Sequence, residues 1–305
     1  MQRLVVSQMN EATTQPRVSV VIPVFNEGTA TADVCARVRR ALEPMGRDAF
    51  EIIVVDDGST DGALKETPSG ADVLVRHRRN RGYGAALKTG FAHARGETIV
   101  IIDADGTYDP AYIPALIEAV SPDTPMAVGA RTGANAKIPA LRKPAKRALT
   151  ALANYLAGRR IPDLNSGLRA VRRTSMENYL HLLPDGFSLT TTLTLAFVSD
   201  GKEIAYIPID YASRRGARSK IRPVRDTQQI LITILRTVMN FNPLKVFLPL
   251  AGILAAMSLT VLFVSGVYFG RIMDGTVAVL ALSAAQSVVV GLLADMLARL
   301  GKARR

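Results

Sequence analysis

The sequence predicts an α/β domain with a mostly parallel sheet, followed by a transmembrane helical hairpin. Two observations support this fold class. Over roughly the first 210 residues, short runs of β-branched residues alternate with helix-like segments, a pattern typical of a parallel sheet covered on both faces. Near the C-terminus, two stretches without a charged residue are each long enough to cross a hydrocarbon layer of about 30 Å as a helix.

The first strand-like segments all precede residue 103, and helices are expected between them. Strands are predicted at 18–23, 51–55, 73–75 and 98–102, with helices at about 31–42 and 84–94. Parallel sheets of this kind bind ligands at the carboxyl ends of their strands, near the point where the strand order reverses. A functional site is therefore expected where these strands end.

The two uncharged stretches extend from Val246 to Gly270 and from Gly275 to Ala294. A buried hairpin of a soluble protein is the alternative, but two adjacent runs of this length are rare in water-soluble domains. Basic residues flank the hairpin on its outer sides: Arg214, Arg215, Arg218, Lys220, Arg222, Arg225, Arg236 and Lys245 before it, and Arg299, Lys302, Arg304 and Arg305 after it. By the positive-inside rule, we expect an integral membrane protein with its catalytic domain on the cytoplasmic side, in the inner or plasma membrane if the source is bacterial.

The segment before the first span has apolar residues at helical spacing, namely Ile230, Ile234, Leu235, Val238 and Met239. This pattern predicts a helix that lies in the membrane interface with its apolar side among the lipids. An ordinary helix that faces the protein core is the alternative.

The formal net charge of the 305 residues is +12, which suits nucleic acid, anionic lipid or a phosphorylated substrate. No nucleic-acid partner is expected, because the basic residues cluster beside the spans and lack interleaved aromatic residues.

Cys35 is the single cysteine, so a disulfide framework is excluded and a reducing compartment is expected. The first 16 residues contain no apolar core of signal-peptide length.

Acidic residues follow three of the predicted strands, in the segments 26–27, 56–61 and 103–106. Carboxylates gathered at one sheet edge repel each other and need a cation or hydrogen-bond donors. Asp103 and Asp105 offer oxygen ligands that suit Mg²⁺ or Mn²⁺, and such a cation would neutralise a diphosphate. A solvated turn is the alternative for this short motif.

Four motifs occur in the order of a known family. They are Val-Ile-Pro-Val-Phe-Asn-Glu at 21–27, Val-Val-Asp-Asp-Gly-Ser-Thr-Asp-Gly at 54–62, Asn-Arg-Gly-Tyr-Gly-Ala-Ala-Leu at 80–87 and Asp-Ala-Asp-Gly at 103–106. With Arg131, Ser-Gly-Leu-Arg at 166–169 and the basic segment 214–220, they cover roughly residues 17–225. The chain resembles the family-two inverting glycosyltransferases of the GT-A fold, and within them the dolichyl- or polyprenyl-phosphate sugar synthases.

The resemblance implies a role for each matching position. The nucleoside would be held by Pro23, Phe25, Glu27, Val55 and Asp57. The diphosphate would meet Asp103, Ala104 and Asp105, with the divalent cation on the two aspartates and Arg131 beside the phosphates.

Two further basic residues are implied in catalysis. Arg214 and Lys220 would close a loop over the diphosphate, although Gly216 lies one place earlier than in the family pattern. Attraction to anionic lipid headgroups is the alternative for this basic segment, and both roles are compatible.

One segment departs from the family pattern. Many members that glycosylate an alcohol have an acidic general base in the segment that here contains threonines at 190–192. An alcohol loses a proton during attack, whereas a lipid phosphate is already anionic and needs positioning and cations instead. The threonines therefore favour a phosphate acceptor, although an inactive protein, or a base at Asp163 or Asp185, would show the same pattern.

Other residues receive weaker interpretations. The stretch 131–147 supplies basic residues for the acceptor phosphate, and a solvated basic helix is the alternative. Gly82-Tyr83-Gly84 is interpreted as a tight turn before a helix. The histidines at 77, 93 and 181 show no metal-ligand spacing and are assigned no role.

The resulting layout has five parts. They are an N-terminal extension at 1–16, a GT-A domain at 17–221, an interfacial helix at 222–242, two transmembrane helices at 243–300 and a basic cytoplasmic tail at 301–305.

The implied reaction transfers a sugar from a UDP- or GDP-sugar to a polyprenyl phosphate with inversion at the anomeric carbon. Another lipid or glycan acceptor, or a silent membrane scaffold, is the alternative. The hairpin permits homo-oligomers without requiring them.

Overall fold

The computed structural model describes residues 15–62, 64–133, 150–155, 158–212, 223–270 and 273–303. The strands are β1 (Val18–Val24), β2 (Phe50–Asp56), β3 (Val73–Arg76), β4 (Thr98–Ile101), β5 (Met126–Ala130), β6 (Arg169–Arg172) and β7 (Ile204–Pro208). The named helices are α1 (Ala30–Leu42), α2 (Tyr83–His93), α3 (Ile113–Glu118), α4 (Arg173–Glu177), α5 (Leu189–Ser199), α6 (Pro223–Phe241), α7 (Leu244–Phe269) and α8 (Asp274–Ala303).

The strands form one mixed sheet in the order β3-β2-β1-β4-β6-β5-β7. Neighbouring strands are parallel except at β6, which is antiparallel to both β4 and β5. The chain moves outward from β1 through β2 to β3 and then returns to place β4 on the other side of β1. This reversal puts a ligand-binding crevice at the carboxyl ends of β1 and β4.

Both faces of the sheet are covered, as the runs of β-branched residues predict. All seven residues of β1 are buried, and successive side chains point to opposite faces. Ile22 packs on one face with Val34 and Val38 of α1, whereas Val21 packs on the other with Leu87 of α2. The burial holds the strand ends in fixed positions.

Helix α6 packs partly against the α/β domain. Ile234 and Val238 are fully buried and cluster with Leu195 and Val198 of α5. The expectation that these two side chains enter the lipid is therefore wrong, because α5 offers them an apolar surface. Ile232, by contrast, is 54% exposed.

Helices α7 and α8 are long and apolar enough to cross a membrane, over Leu244–Tyr268 and Asp274–Leu300 with mean hydropathies of 2.3 and 2.2. They pack against each other, and Ser258 Oγ donates a hydrogen bond of 3.0 Å to the Val277 carbonyl. Their outer surfaces are apolar and exposed, with Phe263 at 66%. Such a surface is costly in water and suits a lipid environment.

Candidate active site

Hydrogen bonds link the loops that follow β1 and β2 at the crevice. Asn26 has a positive φ of 53°, and its backbone amide donates to Ser59 Oγ over 3.0 Å. The Thr60 amide donates to Asn26 Oδ1 over 2.7 Å, and the Gly28 amide donates to Asp61 Oδ2 over 2.9 Å. The two strand-end motifs therefore form one double loop.

Asp57 fastens this double loop to the start of α2. Its side chain is buried, and it accepts from the backbone amides of Arg81 (to Oδ1) and Gly82 (to Oδ2), each over 2.8 Å. Nδ1 of His77 lies 2.7 Å from Asp57 Oδ1, and Nε2 lies 2.9 Å from Thr89 Oγ1. A carboxylate only accepts, so Nδ1 carries the proton. The assignment of no role to His77 is therefore wrong, since it positions Asp57.

The other residues expected to hold the nucleoside lie in two settings. Phe25 and Glu27 are half-buried just after β1, at the crevice. Pro23 and Val55 are buried and face each other in register within the sheet. Since the Val55 side chain packs in the core on the α2 face, any ligand contact at Val55 would use its backbone.

Glycines allow a close approach at the start of α2. Gly82 has φ of 107°, and a Cβ there would lie 2.5 Å from the Asp185 carbonyl oxygen. A Cβ on Gly84 would lie 2.8 Å from the backbone carbon of Asp185. The segment 184–186 therefore packs against this turn, in agreement with the interpretation of Gly82-Tyr83-Gly84 as a tight turn.

Asp103 and Asp105 follow β4 and are half-buried, with the buried Ala104 between them. The Tyr83 hydroxyl donates to Asp103 Oδ1 over 2.9 Å, and the Thr107 hydroxyl donates to Asp105 Oδ1 over 2.6 Å. These carboxylates supply the oxygen ligands that Mg²⁺ or Mn²⁺ prefers. Among the described residues there is no cluster of three or more His, Cys, Asp or Glu suited to a metal, so a cation here would share its shell with substrate or water.

Tyr83 and Gly167 enclose Asp103 from two sides. Burial, followed by the neighbouring Asp103, raises the pKa of Tyr83 well above its usual value, so the hydroxyl stays protonated and donates. A Cβ on Gly167 would lie 2.8 Å from Asp103 Cγ. The Gly167 amide in turn donates to the Tyr108 hydroxyl over 2.7 Å. Asp103 is thus held in one orientation, a feature that sequence spacing did not reveal.

Arg131 follows β5 and forms a bidentate pair with the buried Asp163. Nε of Arg131 lies 2.7 Å from Asp163 Oδ2, and one terminal nitrogen lies 2.8 Å from Oδ1. That nitrogen also donates to Asn165 Oδ1 over 2.7 Å. Burial opposes the positive charge of Arg131, but the neighbouring Tyr108 and Asp163 outweigh it and raise its pKa above the usual value. Arg131 is therefore a fixed cation near the strand ends.

Comparison with known proteins settles the family. Residues 19–180 match the family described as glycosyl transferase family 2. The chain belongs to this family. It is 30% identical over 301 residues, 93% of this chain and 89% of the relative, to an undecaprenyl-phosphate 4-deoxy-4-formamido-L-arabinose transferase from Enterobacter sp. (strain 638). A transferase of the same description from Pseudomonas fluorescens (strain Pf0-1) is 31% identical over 264 residues, 85% of this chain and 74% of that relative.

Solved structures support the same fold. Glucosyl-3-phosphoglycerate synthase from Mycobacterium tuberculosis aligns with a TM-score of 0.55 and 24% identity, over 73% of this chain and 80% of that one. This likeness confirms the predicted GT-A type of sheet. The family match confirms the predicted class of enzyme, a glycosyltransferase.

The threonine-rich segment of this family 2 enzyme lies in the buried helix α5. The Thr190 carbonyl and the Thr194 hydroxyl accept from the guanidinium of Arg169, over 2.9 and 3.1 Å. Arg169 is fully buried, and this burial lowers its pKa below the usual value of arginine. The segment that differs from many family members therefore supplies hydrogen-bond acceptors to a buried arginine.

Two groups of predicted residues fall outside the described part of the chain. Arg214 and Lys220 belong to the first group, and the basic residues of 134–147 form the second. Their proposed roles in catalysis and acceptor binding remain predictions.

Proposed function

We propose that this glycosyltransferase transfers a sugar from a nucleotide-sugar to a polyprenyl phosphate at the cytoplasmic face of a membrane. The observation that carries the proposal is the 30% identity over 93% of the chain to a transferase named for undecaprenyl phosphate. The two membrane-length helices support it, because they would hold the enzyme where such a lipid is found. The basic residues outside the hairpin support the cytoplasmic side.

The donor would bind across the double loop, with its nucleoside near Phe25, Glu27 and Asp57 and its diphosphate near Asp103 and Asp105. A UDP-sugar is one candidate, because the synthase from Mycobacterium tuberculosis was crystallised with Mn²⁺ and UDP-glucose. A GDP-sugar is the other. A divalent cation held by Asp103 and Asp105 would neutralise charge on the departing diphosphate.

The chemistry would be a direct displacement. An oxygen of the lipid phosphate attacks the anomeric carbon while the bond from that carbon to the diphosphate oxygen breaks, so the configuration inverts. Arg131 would stabilise the diphosphate as it gains charge. The acceptor oxygen carries no proton at neutral pH, so no general base is needed.

Turnover in nanodiscs would test the proposal. The full chain is supplied with undecaprenyl phosphate, Mn²⁺ or Mg²⁺ and a panel of UDP- and GDP-sugars, including UDP-4-deoxy-4-formamido-L-arabinose. One donor should give an acid-labile lipid-phosphate sugar of inverted anomeric configuration. Asp105→Asn should reduce turnover at least about 100-fold. Asp123→Asn is the matched control, because Asp123 is an exposed carboxylate on the loop before β5.

The other outcomes have definite meanings. Sugar transfer to diacylglycerol or a glycan, with none to undecaprenyl phosphate, would show that the proposed acceptor is wrong. Retained configuration would exclude direct displacement. A protein that neither binds a nucleotide nor turns over any donor would be the silent scaffold.

A further inference from the structure

A cavity of about 190 Å³ lies apart from the candidate active site. Its lining combines the cationic Arg159 and Arg160 with the acidic Glu203 and with apolar surface from Val198 and Tyr206. The volume is several times the roughly 30 Å³ that one water molecule occupies in the liquid. The cavity can therefore receive a small polar group together with the start of an apolar one.

The cavity lies close to the start of the first membrane-length helix. Lys245 is the second residue of α7, and a Cβ on Gly158 would lie 2.9 Å from Lys245 Nζ. Arg159 and Arg160 directly follow Gly158 in the chain. These three basic residues are therefore near the level at which the apolar helix would leave the hydrocarbon and enter the headgroup region.

The charge around the cavity is positive. Arg159 pairs with Glu203, with 3.1 Å between a guanidinium nitrogen and Oε1. Glu203 is the one acidic residue among those that line the cavity, and it cannot balance both Arg159 and Arg160. Basic residues that face the cytoplasmic leaflet attract anionic lipids, because the surface potential of that leaflet is negative.

The apolar part of the lining also suits a lipid. Tyr206 lines the cavity, and its hydroxyl is buried without a hydrogen-bond partner in the part of the chain that the structure describes. Val198 belongs to the apolar cluster that joins α5 to α6. Cationic groups beside an aromatic and aliphatic wall match a phosphate joined to glycerol and acyl chains.

We propose that this cavity binds the headgroup phosphate of an anionic membrane phospholipid, such as phosphatidylglycerol, and so fixes the catalytic domain against the membrane. The occupant is a bulk lipid rather than the acceptor, because the acceptor phosphate must reach the strand ends. The residues that line the cavity do not include Asp103, Asp105 or Arg131.

Native mass spectrometry of the full chain in neutral detergent would test this site. The protein is titrated with dioctanoyl phosphatidylglycerol and dioctanoyl phosphatidylcholine in the absence of donor, so the result does not depend on catalysis. We expect the wild type to prefer phosphatidylglycerol. Arg159→Gln with Arg160→Gln should weaken that binding about thirty-fold, and Arg160→Gln alone about five-fold, from the usual contribution of a basic residue at an anionic surface.

The matched control removes the same charge elsewhere. Arg17→Gln with Arg47→Gln alters exposed residues before β1 and β2, four or more strand positions from β7 in the sheet. This control should bind phosphatidylglycerol like the wild type. Equal binding by both double variants would overturn the proposal.

Competition distinguishes the sources of phosphate. Inorganic phosphate at millimolar concentration should not displace phosphatidylglycerol, because it lacks the apolar part. Complete displacement by inorganic phosphate would show a free-anion site and overturn the proposal. Displacement by equimolar undecaprenyl phosphate would assign the cavity to the acceptor and would also overturn it.

Discussion

The hydrogen bond from Tyr83 to Asp103 gives the sharpest test of the proposed cation site. Tyr83→Phe removes one oxygen and keeps the ring, which stacks on Phe187 with 5.4 Å between centroids and an angle of 5°. The lost bond is 2.9 Å long and ends on a carboxylate. Hydrogen bonds to charged groups contribute about 1.5–3 kcal/mol. At about 1.4 kcal/mol per factor of ten, this energy predicts that Tyr83→Phe binds the divalent cation about 10- to 150-fold more weakly than the wild type.

The assay is turnover as a function of Mn²⁺ concentration, with the half-saturating concentration as the readout. Tyr179→Phe is the matched control, because the hydroxyl of the buried Tyr179 likewise donates to a carboxylate, Asp200, over 2.8 Å. The control should keep the wild-type Mn²⁺ dependence. If Tyr83→Phe lowers the maximal rate without any change in Mn²⁺ dependence, the argument that Tyr83 positions a metal ligand is wrong.

Three further predictions concern neighbouring groups. Gly167→Ala should reduce turnover at least about 100-fold, because its Cβ would displace Asp103, whereas Gly186→Ala, with open space around its Cβ, should have little effect in the same assay. Asp163→Ala should lower the free energy of unfolding, measured by denaturant titration, by about 3–5 kcal/mol, because it leaves the buried charge of Arg131 without its carboxylate partner. Burial raises the pKa of Cys35 to about 12, so iodoacetamide at pH 8 should label it only after unfolding, and rapid labelling of the native protein would contradict this.

The sequence predicts the first half of the sheet well, because each of these strands is marked by residues within the strand itself. The predicted strands at 18–23 and 51–55 agree within one residue at each end with Val18–Val24 and Phe50–Asp56. Burial on both faces selects β-branched residues at every position, which leaves a clear pattern. Strand β6 was not predicted, and its antiparallel direction depends on pairing with β4 about 70 residues earlier, which no local pattern encodes.

The same limit applies to the site. Strand-end carboxylates could be predicted to meet, because parallel strands end at one edge. Their partners could not be predicted, since His77 is 20 residues from Asp57 and Asp163 is 32 residues from Arg131. Such pairs form only after the strand order is known. The hydrogen bond from Tyr83 to Asp103, which is 20 residues later in the chain, is a further example.

The contacts made by the candidate general bases bear on the proposed acceptor. A general base must be able to take a proton at the moment of attack. Asp163 accepts from Arg131 through both oxygens, and Asp185 pairs with Lys88. The threonines at 190–192 are buried in α5. Asp163 is thus committed to a buried pair with Arg131, which is tolerable if the nucleophile arrives without a proton to lose. A lipid phosphate meets that condition and an alcohol does not, so the same contacts that stabilise the domain favour a phosphate acceptor.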